Sequence, residues 1–242
     1  MSKKTLETSS ALQSIFYQYT HLPIGGKEIC CPYWMNRNWL GITGPYGGKG
    51  RPQEIVDATE KEAEKANLDL KKATESEILN FMKRKKIGVD CSGFVFWMLD
   101  ALDREKGGNG IADDMLEATG QFIASRANVK LLTSEEKSFS INKINEVQAG
   151  DMIRLDGGKH IAIIIAVLKD EVGNILRIDY AHSSRKTLIS GVHSSSINII
   201  DVNSPLFKQE WIEKTASGKN YGELCFRAND GDNIKRLKIW KH

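Results

Sequence analysis

The 242-residue chain has no apolar run longer than Ile161–Leu168. A bilayer-spanning helix needs roughly 20 apolar residues, so a membrane span is excluded. A secretory core is also missing from the start of the sequence. The apolar residues after Lys3 and Lys4 are interrupted by Glu7, Ser9, Ser10, Gln13 and Ser14, and a cytoplasmic location is the expectation. Charge of one sign is lacking: 34 basic against 31 acidic residues, mixed along the chain, give no nucleic-acid footprint. Cysteine is scarce. Cys30, Cys31, Cys91 and Cys225 form no CxxC pair, and adjacent Cys30 and Cys31 suit neither one disulfide nor paired zinc ligation. Neither a metal nor another cofactor is expected. Internal repeats and low-complexity tracts are absent too.

What remains is ordinary globular material, 40% hydrophobic and 27% charged. The periodicity predicts a short helix over Ser10–Tyr19, then a loop-rich, aromatic stretch over Leu22–Tyr46. Pro52 opens a charged helix to about Asn67, and Thr74 or Ser76 caps a second one. Together they suggest a helical insertion over 51–86, lying on a core that spans about 88–242 of a single domain. Asp90–Glu105 carries an apolar stripe at helical spacing in Phe94, Val95, Met98, Leu99 and Leu102. A further helix is predicted over Met115–Arg126, with Asp113-Asp114 at its start. From residue 150 the period becomes that of strands: Asp151–Leu155, His160–Leu168, Ile175–Ser183, Gly191–Ile200, Glu223–Arg227 and Ile234–Trp240. Asp230-Gly231-Asp232-Asn233 reads as a hairpin turn between the last two rather than a calcium loop. Helices followed by an antiparallel sheet define an α+β fold.

The chemistry-bearing residues begin at Asp90. Asp90 is a natural N-cap and puts Cys91 in the first turn of a helix, where the helix dipole favours a thiolate. A thiolate nucleophile needs an imidazole partner. His160 opens the most apolar strand and shares its parity with Ala162, Ile164 and Ala166. The two alanines offer a shallow face on which the Cys91 helix is expected to pack. His182 ends the next strand on an apolar face, where it can hydrogen-bond and orient His160. His193 lies on a Ser-rich segment and reads as a surface residue; Lys83–Lys86 reads as a solvated helix end.

The segment Asp90-Cys91-Ser92-Gly93-Phe94-Val95 resembles the nucleophile motif of the NlpC-type cysteine peptidases, a branch of the papain-like fold. Ala149-Gly150-Asp151-Met152-Ile153 followed by Gly158-Lys159-His160-Ile161-Ala162-Ile163 is similar to that family's second element, and Tyr180-Ala181-His182-Ser183-Ser184 to its third. The resemblance implies a papain-like α+β domain and a thiol hydrolase. Cys91 would be the nucleophile, His160 the general base and acid, and His182 its orienting residue. It implies peptide-type amide substrates, cell-wall (peptidoglycan) fragments among them, with Asp90 and Ser92 facing a substrate amine. A tyrosine upstream of the cysteine would line the site: Tyr33, preferred slightly for its polar and aromatic neighbours, or Tyr46 in Gly44-Pro45-Tyr46-Gly47-Gly48. A same-site acyltransferase and a catalytically silent binding module are the alternatives.

Overall fold

The computed structural model describes residues 4–36, 42–115 and 127–240. Strand β1 (Thr5–Thr8) and helix α1 (Ser10–Thr20) lead into a small hairpin, β2 (Leu22–Ile24) and β3 (Lys27–Ile29). Its two-residue loop is Gly25-Gly26, both at positive φ as a tight hairpin turn requires. A short turn of helix, α2 (Gly44–Gly47), precedes α3 (Pro52–Lys65) and α4 (Glu75–Arg84). Pro52 sits in the first turn of α3, and Thr74 caps α4 in a reciprocal box with Glu77. Helix α5 (Cys91–Glu105) follows. After the short α6 (Val129–Leu132) come β4 (Ser138–Ile141), β5 (Met152–Leu155), β6 (His160–Lys169), β7 (Ile175–Ser184), β8 (Gly191–Asn198), β9 (Glu210–Trp211), α7 (Tyr221–Cys225) and β10 (Ile234–Leu237).

The strands form one antiparallel sheet in the order β4-β10-β5-β6-β7-β8-β9, with β1 pairing the far half of β6 beyond β5. The chain is therefore α+β, with α1 and α5 packed on one face of the sheet and α7 on the other. Among the described residues, no helix is long and apolar enough to cross a membrane.

Strand β6 is the centre of the molecule. Its first eight residues are all buried, because both faces of the sheet are covered; that is why it reads as a continuous apolar run rather than an alternation. On one face, Ile161, Ile163 and Ile165 pack with Phe94, Val95, Met98 and Leu99 of α5 and with Leu12 and Tyr19 of α1. On the other, Ala162 and Ile164 pack with Tyr180, Trp211, Tyr221 and Phe226. The helix expected on the Ala162 side thus lies on the opposite side. The space above Ala162 belongs to bulky aromatics returning from residues 211–226.

Other expectations change with the long-range structure. Helices α3 and α4 do more than lie on the core: Ile55, Ile78 and Met82 belong to the same cluster as the α5 stripe. Glu223–Arg227 does not form a strand. Asn220 caps the N–H of Glu223 and starts α7 there instead. Asp113–Met115 makes a single 3-10 turn, and the rest of the helix predicted to Arg126 lies outside the described residues.

Candidate active site

The N-terminus of α5 is built by its own capping chemistry. The Asp90 carboxylate accepts the Gly93 N–H at 2.7 Å, and Asp90 N–H donates to Gly48 O at 2.8 Å. Gly93 lets that strap cross closely, since a Cβ there would stand 2.4 Å from Gly48 O. Lys49, only 4% exposed, donates from Nζ to Asp90 at 2.8 Å and to Ser92 Oγ at 2.6 Å. Ser92 also donates to Ala127 O at 3.3 Å. Asp90 and Ser92 are therefore both buried and engaged by a lysine of the chain itself.

Cys91 is the first residue of α5 and is buried. The backbone N–H groups of Ile161 and Ser92 point at its sulfur. The thiol thus stands beside the strand residue that follows His160. Burial pushes its pKa up to about 12, reinforced by the Asp90 carboxylate; Lys49 and the two N–H groups pull the other way. Desolvation outweighs the helix terminus in the resting protein.

His160 begins β6 opposite Leu155, and His182 lies near the end of β7 directly opposite His193 on β8. His160 Nε2 and His182 Nδ1 are 2.9 Å apart. His182 Nε2 lies 3.0 Å from Glu213 Oε1, and His193 Nε2 lies 2.7 Å from the same oxygen. His193 Nδ1 faces Gly191 O at 3.0 Å, and Tyr180 OH donates to Glu213 Oε2. Tyr221 stands edge-on to both His160 and His182. Burial holds His160 well below the usual histidine range, and His182 adds to this. Burial also lowers His182, against the pull of Glu213. For Glu213, burial alone would raise the pKa; His182 and the donated hydrogen bonds overcome it and hold the group ionised.

The structure brings His160 and His182 together as expected. Cys91 and His160 both stand at the start of β6, the sulfur at the Ile161 N–H; among the described residues, no hydrogen bond joins the sulfur to the ring. Tyr33 is half-buried and bridges Val89, two residues before Cys91, with its hydroxyl toward Met35 Sδ at 3.6 Å. Tyr46 turns its phenol toward Glu62 and Lys65 on α3. His193 is not a surface residue: it is 7% exposed and tied to Glu213, because β8 pairs in register with β7. Glu213 and Tyr221 carried no readable signal, since only the return of residues 199–221 across the sheet brings them in.

No family model, curated protein or solved structure matches this chain.

Proposed function

We propose that this chain is a cysteine-type hydrolase of papain-like architecture that cleaves peptide-type amide bonds, cell-wall peptide fragments among them. The observation that carries the reading is the buried chain His160–His182–Glu213, which begins one residue before Ile161, whose N–H meets the Cys91 sulfur. With His160 Nε2–H donating to His182 Nδ1, and His182 Nε2–H donating to Glu213, His160 Nδ1 is left to accept the thiol proton. Cys91 rests as a thiol and loses its proton to His160 as the sulfur attacks the substrate carbonyl. The oxyanion is then met by the Cys91 N–H at the helix terminus. His160 returns the proton to the leaving amine, and water hydrolyses the thioester with His160 again as base.

Lys186 and Arg227 are 51% and 47% exposed at their side chains and share the Asp156 carboxylate. Asp156 begins the turn that leads into His160, so the two cations it holds stand beside that turn, suited to a carboxylate-bearing peptide. The resemblance of the Asp90–Val95 motif supports the same substrate class.

Incubation with muropeptides, read by mass spectrometry, tests the reading. Cys91→Ala abolishes hydrolysis. His160→Ala loses about 10³-fold or more, and His182→Ala loses less, because water partly replaces an orienting group. His182→Asn retains more activity than His182→Ala. Hydrolysis that survives Cys91→Ala removes the proposal.

A further inference from the structure

Three ligand-type atoms converge beside the relay. His182 Nε2, His193 Nε2 and Glu213 Oε1 lie 2.7–3.0 Å from one another, on residues that are all buried. The two histidines do not face each other end to end. His160 and His182, with nitrogens 2.9 Å apart, have ring centres 5.0 Å apart. His182 and His193, with nitrogens 3.0 Å apart, have ring centres only 4.5 Å apart. Closer centres at a longer nitrogen separation mean that these two rings meet at an angle rather than end to end, as two ligands of one ion do.

Each of the three groups is oriented by a partner on its other atom: His193 Nδ1 by Gly191 O, Glu213 Oε2 by Tyr180 OH, and His182 Nδ1 by His160 Nε2. Such outer partners are how proteins fix the ligands of a metal ion. His193 Nδ1 faces Gly191 O, while its Nε2 crowds one point together with His182 Nε2 and Glu213 Oε1. A cation at the convergence point satisfies all three atoms with neutral imidazoles.

We propose that His182 Nε2, His193 Nε2 and Glu213 Oε1 bind one divalent first-row transition-metal ion. An ion about 2.1 Å from each atom would see ligand angles near about 90°, one face of an octahedron. Water fills the remaining positions. Two imidazoles and one carboxylate favour a borderline ion such as Zn²⁺, Co²⁺ or Fe²⁺ over Mg²⁺ or Ca²⁺.

Binding moves protons. Metal on His182 Nε2 leaves the His182 proton on Nδ1, donating to His160 Nε2; the His160 proton then sits on Nδ1. His160 Nδ1 no longer accepts from Cys91. This consequence, unlike the site itself, rests on the proposed hydrolase reading: the metal-loaded form is the inactive one.

Chelator-treated full-length protein titrated with Co²⁺ tests the site without reference to activity. One equivalent binds with visible d–d absorption. His193→Gln and Glu213→Gln each weaken binding by about 100-fold or more. X-ray absorption of the Zn²⁺-loaded wild type shows imidazole and oxygen ligands and no sulfur at about 2.3 Å. That measurement decides the matter even if a variant fails to fold. Absence of stoichiometric binding, thiolate ligation, or unchanged affinity in both variants overturns the site. Hydrolysis by chelator-treated protein falls at least 10-fold with one equivalent of Zn²⁺, and His193→Gln removes that sensitivity. A metal that binds at the site in a protein hydrolysing nothing, with or without Zn²⁺, overturns the hydrolase reading and leaves the site standing.

Discussion

At the scale of single residues, Cys91 is a contest between two effects of the same position. The helix terminus and Lys49 favour the thiolate; burial and the Asp90 carboxylate oppose it and win. A thiolate–imidazolium pair, which the helix-terminal placement alone suggests, is therefore not the resting state. Iodoacetamide alkylation of Cys91 is slow at neutral pH and rises only in the alkaline range, as a rate profile followed by mass spectrometry will show. A profile that stays high below pH 7 would mean that the pair forms at rest. Cys91, His160 and His182 were legible because each carries a local signature: a cap before the thiol, and a histidine at the end of an apolar strand. His193 and Glu213 were not. One depends on the in-register pairing of His182 with His193, the other on a loop that returns to place Glu213 against both rings. Neither relation has a trace in local spacing.

Among the elements, the turn between β5 and β6 decides where His160 begins. Asp232, 3% exposed, holds it. Its carboxylate accepts the N–H groups of Gly157 at 2.9 Å, Gly158 at 3.2 Å and Arg227 at 2.9 Å, together with Arg154 Nη1 at 2.9 Å. The Asp230–Asn233 segment, expected as a hairpin turn, is in fact the clamp of a different turn. Asp232→Ala strands three part-buried N–H donors and one cation, at a cost of about 2–3 kcal/mol in urea unfolding. Asp232→Asn keeps an acceptor and costs less. Equal, small losses in both variants would show that the turn stands without the clamp. The strands of the central sheet were readable from their period, as was α5 from its stripe. The side of β6 on which α5 packs was not. Parity tells which residues share a face, and only the volume of Trp211, Tyr221 and Phe226 decides which face a helix can reach.

For the whole molecule, the buried imidazoles set the response to acid. His160 and His182 are held below their ordinary value of 6.5 by burial, so the folded chain keeps them neutral. In the unfolded chain both take up protons as the pH falls through 6.5. The unfolded state then binds more protons than the folded one, and stability falls on acidification at up to about 1.4 kcal/mol per pH unit for each ring. Glu213 adds a second stage with the same sign. Its folded value lies below the ordinary 4.5, so the unfolded carboxyl protonates first, and the stability that the ionised group contributes above 4.5 is lost as the pH drops toward the folded value. Urea midpoints of chelator-treated protein should thus be highest above pH 7, decline between pH 6.5 and 5, and decline further below 4.5. His182→Gln removes one ring from the count, so its midpoint falls less steeply over the first stage. A wild-type midpoint that rises from pH 8 to 5 would mean that both rings are already protonated in the fold and that Glu213 faces imidazolium, and a flat one that the rings take up protons equally in the folded and unfolded chain.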